Sequence, residues 1–289
     1  KAPPIDRLPL WVIILTCATI AGIGMGIRQS MGLYLKPLSE ELGLGREAFS
    51  MAVAIANIVW GMAAPFTGAV SDKWGTGRVV VFGAFCTVLG LWLLYTARTD
   101  TELFVSGIFL GFGVAGAGIN ALVGAVSRAA PADRRTSAVA SLGIGSGIGI
   151  LIALPYTHLL MAQFGWQASL AILAATALII LPLAWPVSGR PHRPASANLV
   201  KPQSLGAALR EAFAHPSFWL LNAGFFVCGF HVVFYAVHLP PFVADQGLDP
   251  MVAVIGLTVV GIGNLIGTYL SGQWGRNGSK KYGLAFIYL

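Results

Sequence analysis

The sequence predicts an all-α membrane protein built from helical bundles, and three observations lead to that fold class. Hydrophobic residues make up 56% of the 289 positions, charged residues only 10%, and the mean hydropathy is +0.76. A soluble globular chain carries about a quarter charged residues, so we expect lipid rather than water around this one. The apolar residues also form runs long enough to cross about 30 Å of hydrocarbon as helices.

The apolar runs divide the chain into eight spans and the start of a ninth. No run alternates polar and apolar residues with the period of two that marks a membrane β-strand, whereas a helix satisfies its own backbone in lipid. We expect spans near residues 9–35, 47–70, 79–97, 103–127, 136–163, 166–187, 217–243 and 251–271, and a ninth that opens at Tyr282.

A polar, Pro-rich stretch separates the first six spans from the others. Residues 188–216 contain no apolar run of membrane length and indicate a linker, with a short amphipathic helix near residues 205–213. We therefore expect an N-terminal six-helix bundle over residues 1–187 and part of a C-terminal bundle over residues 217–289.

The placement of cations predicts the orientation of the chain, because cytoplasmic loops collect Lys and Arg. With a cytoplasmic N-terminus, fourteen of the eighteen cations fall on the cytoplasmic side, and the outer loops hold Lys36, Arg46 and Arg98. The net charge of +7 is therefore an orientation signal. No concentrated basic face supports nucleic-acid binding.

The two halves of the chain also resemble one another. A shift of 204 residues lays "LKPLSEELGL" (35–44) over "LPPFVADQGL" (239–248) and places Tyr34 opposite His238. The same shift puts the cationic stretch 68–78 over a second cationic turn. Duplicated halves of this kind are typical of membrane transporters.

Charge is concentrated in "GAVSDKWGTGR", residues 68–78, between the second and third spans. Gly68 and Gly75 allow a tight turn and a close approach of helices. Asp72, at a helix end, can pair with a cation or with the positive end of a helix dipole. Arg128, at the end of the fourth span, is the cation that we expect to meet it.

This stretch resembles the major facilitator superfamily of secondary transporters, which carries Gly-x-x-x-Asp-Arg/Lys-x-Gly-x-x-Arg/Lys in the same loop. The matching residues here are Gly68, Asp72, Lys73, Gly75 and Arg78. The stretches "IRQSMGLYLKPLSEELGLGREAFS" and "CGFHVVFYAVHLPPFVADQGL" further resemble the bacterial branch of monocarboxylate and oxalate/formate carriers.

The resemblance implies major facilitator type bundles of six helices each, in the inner membrane of a bacterium. This sequence would hold the six-helix N-terminal bundle and an incomplete C-terminal bundle, so we expect a fragment that lacks its last spans. The resemblance also implies that residues 68–78, with Arg128, form a latch between the bundles on the cytoplasmic side. The alternative is that Lys73 and Arg78 serve only as topology anchors.

Polar groups within the spans are the candidates for substrate binding, because each is costly in lipid. No Asp or Glu falls within a span. The residues that we select instead are Arg28, His231, Tyr235, Asn57, Asn120, His238 and Tyr34.

Arg28 could hold a carboxylate through two parallel hydrogen bonds. His231 lies near mid-membrane and shares a helix face with Tyr235. The structural alternatives are that Arg28 extends to the headgroups, that a neighbouring helix satisfies His231, and that the amides only join helices.

We expect a secondary carrier that moves a small organic anion by alternating access, with a monocarboxylate favoured. A carrier for neutral or amphipathic solutes, or a non-transporting sensor of the same fold, remains as an alternative. The expected partners are the lipid bilayer, the substrate and a coupled proton or counter-anion. We expect a monomer without a cofactor, a metal or enzymatic activity.

Overall fold

The computed structural model of the chain describes residues 8–43, 45–131, 134–188, 205–277 and 279–287, and these contain helices and no strand. Most of the predicted linker, residues 189–204, lies outside the described residues. The helices are α1 (Leu10–Ser30), α2 (Leu35–Leu42), α3 (Arg46–Trp74), α4 (Thr76–Thr96), α5 (Asp100–Ala117), α6 (Ile119–Ala129), α7 (Arg135–Leu178), α8 (Ile180–Leu183), α9 (Leu205–Ala214), α10 (Pro216–Asp245), α11 (Pro250–Asn277) and α12 (Lys280–Ile287).

Seven helical segments within the described ranges are long and apolar enough to cross a membrane. The longest of them, Ser137–Leu183, contains Gly165 with φ 78° and ψ 168°, a conformation that interrupts the helix. This break falls between the predicted fifth and sixth spans. The all-α membrane fold is therefore confirmed, and the chain is a multi-pass integral membrane protein.

The predicted fourth span, residues 103–127, proves to be two helices rather than one. Gly118 has an extended backbone, with φ −82° and ψ 177°, and separates α5 from α6. The start of α5 is defined by a capping box, in which Thr99 Oγ1 accepts from the Glu102 amide and Glu102 Oε2 accepts from the Thr99 amide. Apolarity alone could not predict the interruption, because Gly118 lies inside a continuous apolar run.

Glycines allow α1 and α7 to lie very close together. A Cβ added to Gly149 would overlap the backbone of Gly22, and one added to Gly26 would lie 2.7 Å from Ala153 Cβ. Small residues permit this close packing of helices in lipid. The contact fixes the position of α1, the helix that carries Arg28.

Within the described residues, both α10 and α11 pack on the first six spans. Ala236 of α10 lies close against Gly32. A Cβ added to Gly32 would overlap the carbonyl oxygen of Ala236. On α11, Val254 and Leu257 pack with Leu154 of α7 in a buried cluster. These contacts bring α10 to one side of α1 and complete the wall of the cavity described below.

Candidate binding cavity around Arg28

Arg28, near the end of α1, is held by two residues of α3. Its Nη2 donates to Asn57 Oδ1 at 2.6 Å, and its Cζ lies 4.8 Å from the centre of the Trp60 ring. The amide nitrogen of Asn57 donates in turn to the Val53 carbonyl at 2.8 Å. Asn57 and Trp60 are three residues apart and therefore share a face of α3. The guanidinium is thus fixed at one edge and on one face by neutral groups.

Arg28, Asn57 and Trp60 line a cavity that is bounded by α1, α3, α4, α5 and α10. Among the described residues that line it, Arg28 alone is charged. Most of the other lining residues are apolar, including Val233 and Val237 of α10. The Arg28 cavity therefore presents one fixed positive charge within a neutral, mainly apolar wall.

A larger open groove between α3 and α10 shares Arg28, Asn57 and Trp60 with this cavity. Asn120 and His238 line the groove, and both side chains are exposed. The wall contributed by α10 is rich in aromatic side chains, namely those of Phe225, Phe226, Phe230 and Phe234. Four of the seven residues selected from the sequence thus face one continuous region.

The structure places the other three selected residues elsewhere. Tyr34 is fully buried, and its hydroxyl lies 2.5 Å from Ser169 Oγ, so it belongs to the interior of the first six spans. Tyr235 packs against the α7–α11 contact and does not line the cavity, but it lies close enough to Arg28 for the two side chains to interact electrostatically. His231 is exposed and is not among the described residues that line either the cavity or the groove.

Trp60 and Gln29 are among the residues of the cavity that sequence reasoning missed. An available signal for Trp60 was its spacing of three residues from Asn57 in an apolar span. Gln29 is a polar residue that directly follows Arg28. Neither pattern indicates a cavity until α1, α3, α4 and α5 are packed together.

At the far end of α3, Arg128 of α6 contacts two residues near the turn that follows Ser71. Its Nη1 lies 3.0 Å from Asp72 Oδ1, and its Nη2 donates to Thr76 Oγ1 at 2.8 Å. Ser71 Oγ lies 2.7 Å from Thr76 Oγ1 and donates to the Ala121 carbonyl at 3.1 Å. The network joins the end of α3, the start of α4 and α6.

Gly75 and Gly68, the two glycines of the motif in residues 68–78, differ in their structural roles. Gly75 has φ 98°, the left-handed geometry that a tight turn between α3 and α4 requires. The sequence predicts that Gly68 allows another helix to approach closely. The structure shows no such approach, because no described atom lies within 4 Å of a Cβ built there. Helices that pack closely elsewhere, such as α1 and α7, leave no such space.

The latch between the bundles stays a prediction. Asp72 and Arg128 both belong to the first six spans, so their contact joins α3 to α6 rather than one bundle to the other. Lys73 Nζ lies 5.1 Å over the Trp74 ring, and Arg78 is exposed beside an apolar side groove. Among the described residues, no hydrogen bond or ion pair joins these groups to α10 or α11.

Residues 10–289 match the family model described as Major Facilitator Superfamily. The chain is 31% identical to monocarboxylate transporter 11 of Mus musculus over 270 residues, which are 91% of this chain and 58% of that protein. It is 23% identical to the oxalate:formate antiporter of Oxalobacter formigenes, over 88% of this chain and 60% of that protein. The chain thus spans little more than half the length of these curated relatives.

Among solved structures, the chain is similar to a D-xylose-proton symporter, with a TM-score of 0.64 and 17% sequence identity. The similarity covers 93% of this chain and 70% of the symporter. At this identity the likeness concerns the fold.

Proposed function

Because this chain belongs to the Major Facilitator Superfamily, we propose that the whole protein is a secondary active transporter that moves a small monocarboxylate across the membrane by alternating access. The family match confirms the resemblance predicted from residues 68–78. The relatives named above are transporters rather than enzymes, and both are named for organic anions. The observation that carries the proposal is the position of Arg28 in the cavity.

A cation within a membrane span is costly unless a partner compensates it. The hydrogen-bond and ring partners described for Arg28 are Asn57 and Trp60, and neither of them carries a charge. A bound carboxylate would neutralise the guanidinium and could accept two parallel hydrogen bonds from it. The cavity therefore suits a monoanion with a mainly apolar body.

Alternating access requires two bodies that move about the binding site. We propose residues 1–187 and 217–289 as these bodies, with 188–216 as the linker. Support comes from the cavity wall, which combines α1 and α3 with Val233 and Val237 of α10. Movement of α10 would change the access to Arg28, and a substrate that contacts both bodies would shift the balance of states. The Asp72–Arg128 network would then hold the far end of α3 in one of those states.

The distribution of cations supports a cytoplasmic N-terminus, and the similarity to a bacterial carrier supports the inner membrane of a bacterium. We propose a monomer whose partners are lipid, the substrate and a coupled proton or counter-anion. His238 lines the groove, and an imidazole can accept and release a proton, so it is the candidate for proton coupling.

The test uses the natural full-length protein in proteoliposomes and measures the uptake of radiolabelled monocarboxylates, sugars and uncharged amphipathic solutes. We expect Arg28→Gln to lower monocarboxylate uptake roughly tenfold or more, because charged hydrogen bonds are lost. Arg98→Gln, which removes a cation from the α4–α5 loop, is the matched control. Unchanged uptake by Arg28→Gln would reject the anion site, and binding without flux would identify a sensor.

A further inference from the structure

Gln29 of α1 is a buried polar side chain without an evident structural task. It is 6% exposed and lines the Arg28 cavity. Among the described residues, no hydrogen bond joins its amide to another group. The Gln29 amide atoms are not among the fully enclosed polar atoms that lack a partner, so they keep access to the cavity and can bond a molecule bound there.

The other neutral polar groups of the cavity are already engaged. The Thr87 hydroxyl donates to the Gly83 carbonyl at 3.0 Å, and the Ser106 hydroxyl donates to the Gly90 carbonyl at 2.9 Å. Asn57 accepts from Arg28 and donates to a backbone carbonyl of its own helix. Gln29 is therefore the amide in this wall whose donors and acceptor are both available to a molecule in the cavity.

We propose that Gln29 is a second recognition point for the substrate. This inference rests on the proposed function, in which Arg28 binds the carboxylate. The Gln29 amide then hydrogen-bonds a neutral polar group of the same molecule, accepting from a hydroxyl or donating to a keto oxygen. The remaining wall is mainly apolar and contains no other charged residue among those described, so a second ionised group on the substrate finds no charged partner there.

A pair of isosteric acids tests this role, namely 2-hydroxy-2-methylpropanoate and 2,2-dimethylpropanoate, which differ by a hydroxyl in place of a methyl group. Uptake of each is measured with the full-length protein in proteoliposomes. We expect the wild type to prefer the hydroxy acid in kcat/KM, because a site built to hydrogen-bond a substrate group discriminates against the analogue that lacks it. We expect Gln29→Met to raise the KM of the hydroxy acid roughly tenfold and to leave the dimethyl acid unchanged.

Two further variants separate recognition from packing. Ser106→Ala removes a lining hydroxyl that is already bonded to Gly90, so the ratio between the two acids should stay at the wild-type value. Gln29→Asn retains an amide and should keep part of the preference. An equal change for both acids in Gln29→Met, or no change for either, overturns the inference. If uptake still depends on Arg28 in that case, the proposed function stands.

The melting temperature of the substrate-free protein tests the inference independently of which acid is transported. An amide without a partner in the empty protein contributes nothing to folding, so Gln29→Met should melt at or above the wild-type temperature. Asn57→Leu, which removes an amide that is bonded at both ends, should melt lower. A drop in the melting temperature of Gln29→Met as large as that of Asn57→Leu would mean that Gln29 is bonded within the protein, and would overturn the inference whatever the substrate is.

Discussion

Arg46 at the start of α3 and Asp245 at the end of α10 form a two-point ion pair. Arg46 Nη2 lies 2.8 Å from Asp245 Oδ1, and Nη1 bonds to Oδ2. Lys36 Nζ lies 3.9 Å from the same carboxylate. The pair joins a helix of the first six spans to a helix that follows the linker, at the opposite end of α3 from Asp72.

We expect the reversal Arg46→Asp to slow transport, because two carboxylates would repel each other at this junction. The double variant Arg46→Asp with Asp245→Arg should recover most of the rate. The melting temperature should stay near the wild-type value, since exposed ion pairs contribute little to stability. Initial uptake rates in proteoliposomes measure the effect, with Arg98→Asp as the control. A double variant as slow as the single one would contradict this prediction.

Trp60 provides a second prediction, because its ring lies over the Arg28 guanidinium. Cation–π contacts contribute about 0.5–2 kcal/mol, so Trp60→Leu should weaken monocarboxylate binding by roughly twofold to thirtyfold. Trp60→Phe keeps an aromatic face and should lose less. Substrate-dependent thermal shifts of the purified protein measure the change. Trp92→Leu, at an exposed site on α4, should bind as the wild type does. Equal affinity in all three variants would argue against the contact.

Arg128 provides a third prediction, which concerns stability. Arg128→Gln removes the contacts with Asp72 and Thr76, and should lower the free energy of unfolding by about 1–2 kcal/mol. Lys73→Gln, one residue from Asp72 but with no described ion pair, should have a much smaller effect. Unfolding in mixed detergent micelles compares the two. A similar loss in both variants would mean that the charge of the loop matters rather than this network.

The α1–α7 contact provides a fourth prediction. Gly149→Ala places a methyl group against the backbone of Gly22 and should destabilise the protein by about 1–3 kcal/mol through overpacking. Gly61→Ala on α3 has no described atom within 4 Å and should be neutral or stabilising, because Ala favours a helix. Thermal unfolding of the two variants provides the comparison. Equal stability would mean that the helices separate to admit the methyl group at no cost.

Several properties of this protein follow from the sequence alone. The membrane spans follow from hydropathy and length, because a helix must be about 20 residues long and apolar to cross hydrocarbon. The family follows from the short motif at residues 68–78, and the short helix α9 from a local amphipathic pattern. Arg28 and Asn57 were recognisable as candidates because polar groups within a span are costly wherever the helix packs.

The partners of these residues were decided only by the tertiary structure. Arg28 meets Trp60, Tyr34 turns inward to Ser169, and Asp72 meets Arg128 of α6. Such contacts depend on how each helix is rotated and on how closely glycines let it approach its neighbour. Hydropathy along one helix carries no information about rotation when all of its faces are apolar. Packing between helices therefore determined which polar groups share the cavity.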